Sequence, residues 1–514
     1  MFIDVLASTK KIFKIISWTF WKRVRLLTAP RSNPLKRFVP QALCLTRYSL
    51  TLYCKVRNSS KYRIFFLPEN IDDDAFYAQP NLEKIDMSNN RLNKVAGGAF
   101  GGLPKLRKLK LGYNRLLPRA SFTGLTELMF LNLSNNPLLT SLPLNSLDPL
   151  SRLEVLDLTN TGMKLLSPDL LLRNPRLKWL SFASNMIQEI PELAFQSQVN
   201  GNKLASFKGE FFINRRSNGT LLEEINLSNN YLSYLFPSSF KVHPRLKRIN
   251  VSQNKFSFFP AELIATLEYL QEVDLSKNYL KTLEEFDFGR LPNLRTVDLS
   301  YNQIESISET AFHNSTQLQE IKLGRNKLEK LEERLFQGLV RLKLLDLQHN
   351  SLSDLPQTIF ERSRLRILEN INLSANKFSE APLKSLQKQY FFLMSVDLSH
   401  NLIKELPSDD STMVNIKKLD LSFNKLSEDT IAAILGEPKT VRELNMAGTG
   451  ITHLTRLETP FIQSLNVSHN NISQVTDKVF EKTTLIESID FSHNLITDVG
   501  WIFRSHVGAD EEPP

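Results

Sequence analysis

Apolar and polar positions along most of this chain recur with a period near 24 residues, in the pattern L-x-x-L-x-L-x-x-N-x-L. Leu82, Ile85, Met87, Asn90 and Leu92 form the first clear copy, and Leu106, Leu109, Leu111, Asn114 and Leu116 the second. The polar anchor returns at Asn136, Asn185, Asn230, Asn254, Asn278, Asn302, Asn326, Asn350, Asn376, Asn401, Asn424, Asn470 and Asn494, with Thr161 and Thr449 in two further copies. Seventeen matches in order define an internal repeat, and a fixed period of this length means stacked supersecondary units.

Each copy contains a short alternation, as in Val297-Asp298-Leu299, whose apolar residues point inward from a strand while the acid faces out. Stacking such strands ~4.8 Å apart gives a parallel sheet roughly 80 Å long. A buried Asn both donates and accepts, so it can satisfy backbone groups where the chain turns, whereas Thr161 and Thr449 can do only part of that. Ten residues after the anchor Phe recurs, at Phe100, Phe195, Phe240, Phe312, Phe336, Phe360 and Phe480, to fill the interior behind the strand. One rung cannot bury its own apolar face, so stability comes from its neighbours.

On these residues the sequence resembles the leucine-rich-repeat family over about 62–500, and the 24-residue unit carrying Phe is similar to its extracellular variant. The resemblance implies an α/β repeat solenoid: a horseshoe with a concave parallel β-sheet and a mostly irregular, short-helical or 3-10 convex side. The expected organisation is a basic segment at 1–61, a solenoid of about 17–19 rungs at 62–500, and a short acidic tail at 501–514. Between Asn185 and Asn230 lie 45 residues, nearly two periods. Asn202-Lys203-Leu204 is the remnant of a degenerate rung on one reading; on the other, 186–221 is a protruding loop carrying Arg215, Arg216 and Asn218.

The net charge of +10 belongs to the first sixty residues: 1–61 hold thirteen Lys and Arg against Asp4 alone, and the other 453 residues hold 51 basic and 53 acidic ones. The body therefore has no general basic footprint, and no nucleic-acid partner is expected. Ile12, Ile16, Phe20 and Val24 among Lys10, Lys11, Lys14, Lys22, Arg23 and Arg25 have the spacing of a basic amphipathic helix at a membrane surface, and make a poor secretory signal. The two cysteines, Cys44 and Cys54, are too few for the cysteine-rich caps of extracellular members of the family, and could form one disulfide. The chain stops about twenty residues after Asn494, as part of a longer array would.

No nucleotide, hydrolase or zinc-protease motif is present, so neither an enzyme nor a cofactor is expected. The outward position between the strand leucines is Asp in eight rungs (86, 157, 274, 298, 346, 397, 420, 490) and Asn in six (132, 226, 250, 372, 445, 466). That ladder reads as a solvated strand face rather than a cation site. His349, His400, His469 and His493 precede ladder residues, and His469 and His493 fall on adjacent rungs; two ligands do not close a site, so no metal is expected.

The other outward strand position is usually charged or small, but reads Phe130, Val155 and Trp179 in three consecutive rungs, with Tyr113 nearby. Apolar and aromatic residues clustered on a sheet suggest a partner site with aromatic anchors, unless the 186–221 stretch covers them. Nine sequons occur; five are the strand sequence itself, while Asn218, Asn314 and Asn471 lie outside it and are the glycosylation candidates.

The expected function is extracellular protein recognition or cell adhesion. The uninterrupted array, with Leu444-Asn445-Met446-Ala447-Gly448-Thr449-Gly450-Ile451 followed by Leu457-Glu458-Thr459-Pro460-Phe461, resembles chaoptin-like cell-surface adhesion proteins. That resemblance implies a second copy as partner and association with the cell membrane. The alternatives are part of the ectodomain of a Toll-like signalling receptor and an intracellular scaffold.

Overall fold

Eighteen three-residue strands stack in parallel, in chain order, into one sheet. This is a computed structural model; it describes residues 61–63, 69–190 and 221–498, with short breaks inside those spans. The sheet starts at Lys61–Arg63, which pairs with Lys84–Asp86, and ends at Ser488–Asp490, paired with Ser464–Asn466. Register never slips: Val297 stands beside Val273 and Ile321, so every central residue points inward. Those central residues are almost wholly buried, from Ile85 to Leu465. The opposite side is mostly turns, with short helices at Ala261–Ile264, Leu383–Leu386 and Glu428–Gly436 and a 3-10 turn at Asp477–Phe480. The fold is thus a parallel β-solenoid with little helix, as its periodicity predicts.

The ladder asparagines hold this stack together across rungs as well as within them. Asn302 Nδ2 donates to Leu299 O at 2.9 Å and Ser300 O at 3.3 Å in its own rung, and to Leu275 O at 3.0 Å in the rung before. Its Oδ1 accepts the Leu280 N–H, again from the preceding rung, at 3.1 Å. Where Thr161 replaces Asn, its hydroxyl lies 3.0 Å from both Leu158 O and Asn185 Oδ1, one proton for two acceptors. Asn185 Oδ1 compensates by also accepting the N–H groups of Thr161 and Met163. At Thr449 the same service comes from Asn470, whose Oδ1 takes three N–H groups.

The residue before each ladder position turns left-handed, with φ between 52° and 63° from Asn89 to His493. Asn and His are enriched in that conformation, which accounts for the histidines at 349, 400, 469 and 493 without any ligand. Their rings follow the stack: His469 and His493 lie face to face with centroids 4.2 Å apart, and His400 stacks on Phe423 at 4.5 Å. Gly448 leaves room there, since a Cβ would stand 2.7 Å from the Phe423 ring. Behind the sheet runs a phenylalanine spine, with Phe288 stacked on Phe312 at 5.1 Å and Phe336 on Phe360 at 5.9 Å.

Trp179–Ser181 pairs directly with Glu224–Asn226, and the ladder jumps the same gap: Asn230 Nδ2 reaches Phe182 O at 2.9 Å and its Oδ1 accepts Ile187 N–H at 3.1 Å. Among the described residues no strand stands between Trp179–Ser181 and Glu224–Asn226; whether 186–221 is a degenerate rung or a loop turns on residues outside them. Residues 191–220 with the sequon at Asn218, Cys44 and Cys54, the rest of the amino-terminal segment and the acidic tail all lie outside the described residues.

Asp287 is a buried acid with one strong local bond, accepting the Glu284 N–H at 2.8 Å. Burial raises its pKa to about 6, against the lowering effect of that bond, and the Glu284 charge raises it further. The folded chain thus holds this proton more tightly than the unfolded one, so stability falls as pH rises from about 4 to about 6. Asp287→Asn should stabilise the protein at pH 7.5 by roughly 1–3 kcal/mol, with the gain vanishing below about pH 4. Melting curves at both pH values test this; a gain independent of pH would contradict it.

Candidate functional site

Phe130, Val155 and Trp179 are register partners on three adjacent strands, so their side chains form one row on the outward face of the sheet. All three are half-buried, while Leu131, Leu156 and Leu180 between the two outward rows are fully buried. The row begins against Lys108, whose Nζ lies 4.2 Å from the Phe130 ring centroid, and ends against Glu224, the register partner of Trp179. The strip is thus apolar, with a cation at one end and, at the other, an acid paired with Arg248.

Beside this row runs the Asp/Asn row, and its geometry has a structural cause. Asp298 Oδ1 accepts the backbone N–H and hydroxyl of Ser300 at 3.0 and 2.6 Å, and the same motif recurs at Asp274, Asp397 and Asp420. At these positions the row closes the turn that follows the strand. Burial raises the Asp397 pKa above its ordinary value, Ser399 bonding opposes that, and Asp420 on the next strand adds to it. Next to the apolar strip the row is bonded across strands: Asn132 Nδ2 donates to Asp157 Oδ2 at 2.7 Å.

Tyr113 does not join the site. It occupies the left-handed turn after Lys108–Lys110, exposed at the sheet's edge. Beyond Trp179 the face becomes ionic, with Arg248 paired to Glu224 and 3.9 Å from Glu272. A hollow of about 330 Å³ opens there, lined by Trp179, Glu224, Arg248 and Asp274 among others. Leu344 also stands half-buried in the outward row, an apolar residue that a search for neighbouring aromatics passes over.

A family profile described as "Leucine rich repeat" matches residues 67–116, 220–280, 244–304 and 292–352. Among curated proteins, bovine osteomodulin is 29% identical over 199 residues, covering 36% of this chain and 45% of osteomodulin. Bovine lumican is 28% identical over 138 residues, covering 27% of this chain and 39% of lumican. The chain thus spans less than half the length of these leucine-rich-repeat relatives. Among solved structures, a Leptospira interrogans leucine-rich-repeat protein superposes with a TM-score of 0.63 at 23% identity, over 83% of this chain and all of that one. Drosophila Toll, in its glycosylated complex with Spatzle, superposes at 0.67 with 19% identity, over 83% of this chain and 58% of that one. These structures share the leucine-rich-repeat fold.

The glycosylation candidates within the described residues are accessible. Asn314 and Thr316 of one sequon are exposed, as are Asn471 and Ser473 of the other. Among the described residues no helix is long and apolar enough to cross a membrane.

Proposed function

We propose that this chain is an extracellular recognition protein that seats a protein partner on the row Phe130–Val155–Trp179. The observation that carries the reading is that three apolar side chains, two of them aromatic, stand in register on adjacent strands of a row whose other positions, Leu344 apart, are polar or charged. Aromatic anchors rimmed by charge are where interface energy concentrates. Drosophila Toll, which shares this fold, forms a complex with Spatzle, and that supports the same use of the fold here.

The resemblance to chaoptin-like proteins adds a finer reading: the partner is a second copy, and the contact is adhesive, at a cell membrane. Beads coated with the purified chain should then aggregate, and Trp179→Ala should weaken that contact more than tenfold while leaving melting nearly unchanged. A sharp fall in melting temperature with aggregation intact would make Trp179 part of the core and sink the site. Wild-type beads that stay dispersed would remove homophily.

A second reading, part of the ectodomain of a Toll-like receptor, is favoured by 29% identity over 144 residues to Toll-like receptor 3 of Boselaphus tragocamelus, 26% of this chain and 15% of that protein. Either reading expects glycan at Asn314 and Asn471, with Asn218 as a third candidate. Secreted protein should drop in mass on glycosidase treatment, and Asn314→Gln should remove one step. An unmodified chain would favour an intracellular scaffold.

A further inference from the structure

Charge is spread unevenly along the solenoid. Over 81–117 eight Lys and Arg meet two acids, Glu83 and Asp86. Six of those cations gather on the outward face of the sheet and its two margins. Lys84 and Lys108 are register partners in one outward row, and Lys110 stands beside Asp86 in the other. Arg107 immediately precedes its strand, and Arg91 and Arg115 follow ladder asparagines one period apart. Lys84, Arg91, Arg107 and Arg115 are exposed, and among the described residues no acid pairs with them, while Asp86 lies 3.8 Å from Lys110. Lys61 and Arg63 hold the next register positions, so from the start of the sheet to Phe130 and Asn132 the two rows hold Lys61, Lys84, Lys108, Arg63 and Lys110 against Asp86 alone. Neighbouring acids do not cancel this patch. Asp72, Asp73 and Asp74 stand on the opposite side, where Asp73 accepts the Gly98 N–H at 2.6 Å; Glu69 precedes Asn70, the register partner of Lys94; and Glu127 pairs with Arg152.

We propose that this end of the sheet binds a short stretch of sulfated glycan. Charge complementarity selects an anion, and the guanidinium forks of Arg91, Arg107 and Arg115 suit the oxygens of sulfate and carboxylate groups. The outward cations repeat at the strand spacing of ~4.8 Å, so they meet an extended chain that carries anionic groups sugar by sugar. A protein partner is a poorer match here. Protein interfaces concentrate their energy in an apolar centre, and before Phe130 the outward rows hold no apolar residue. Single-stranded nucleic acid needs successive aromatic platforms, and Tyr113 is the one exposed ring over 81–117. Asp157, Asp274 and Asp298 farther along the sheet repel the continuation of any long polyanion, which favours a short stretch. Residues 1–61, with thirteen Lys and Arg against Asp4, share the sign of the patch and are no match as its occupant. The surface adjoins the Phe130–Trp179 row at Lys108 but does not rest on it.

The test is lysine acetylation of the full chain, read residue by residue by mass spectrometry at one fixed ionic strength, with and without a heparin oligosaccharide. Heparin should protect Lys84, Lys108 and Lys110 and leave the exposed Lys281 and Lys377 of later rungs unprotected. Arg91→Glu with Arg107→Glu should raise the half-protecting heparin concentration about tenfold, a loss of about 1.4 kcal/mol, with the melting temperature unchanged. Arg91→Gln with Arg107→Gln should give a smaller loss in the same direction, which guards against a charge reversal that disturbs folding. Trp179→Ala should leave the protection intact, so failure here and failure of the aromatic row are told apart. Protection confined to residues 1–61, protection as strong at Lys281 and Lys377, or protection indifferent to both arginine pairs overturns the proposal. So does polyglutamate or polyuridylate protecting the same three lysines as well as heparin does.

Discussion

Asn136→Leu should destabilise the solenoid by about 3–5 kcal/mol, because it leaves several fully buried backbone groups without partners at about 1–3 kcal/mol each, not fully additive. Asn136 is completely buried. Its Nδ2 donates to Leu133 O at 2.7 Å and Ser134 O at 3.3 Å, and crosses to Leu111 O of the previous rung at 3.0 Å. Its Oδ1 accepts the Leu116 N–H at 3.0 Å. Leucine has the same branched skeleton, with bulkier methyl groups, but offers neither donor nor acceptor. Asn136→Thr should fall between, since threonine retains the bond within the rung, as Thr161 does to Leu158. Denaturant unfolding of the three proteins measures the order; leucine as stable as asparagine would refute the ladder as a cross-rung clamp.

Phe312→Ala should cost about 3–5 kcal/mol, the range for truncating a buried aromatic side chain. Phe312 has no exposed surface and stacks on Phe288, which in turn meets Phe259 at 4.4 Å. The cavity would open between two rungs, so the damage should be local before it is global. Repeat proteins couple mainly through nearest neighbours, and amide exchange should accelerate first in the strands at Thr296–Asp298 and Glu320–Lys322. Equal acceleration along the whole array would contradict that picture.

Much of this was legible because the repeat converts sequence offset into spatial position. The pattern around Val297-Asp298-Leu299 gives the strand, its inward and outward residues and its register with Val273 and Ile321. Phe130, Val155 and Trp179 line up for the same reason. What the pattern hides is anything that depends on where a rung bends. Tyr113 is close to Phe130 in sequence, yet its left-handed turn carries it to the sheet's edge. The 45-residue spacing from Asn185 to Asn230 suggested nearly two periods, yet Trp179 is the direct register partner of Glu224.

Lys84 and Lys108 stand one period apart, as do Arg91 and Arg115, so reading columns along the repeat finds them. The sharing of Asn185 Oδ1 by Thr161 and Met163 had no such signal, since it depends on side chains of one rung serving the next. Asp287 likewise gave no warning: its raised pKa comes first from burial, which an acid in a turn does not announce.

The most direct test of the account is a screen of the purified chain and its Phe130→Ser/Trp179→Ser variant against a panel of secreted and cell-surface ectodomains, with the chain itself included. The account predicts at least one partner that binds the wild type and is lost by the variant, with both proteins equally folded by melting and circular dichroism. Partners bound equally by the two proteins, or no partner at all, would contradict recognition through this row of the sheet.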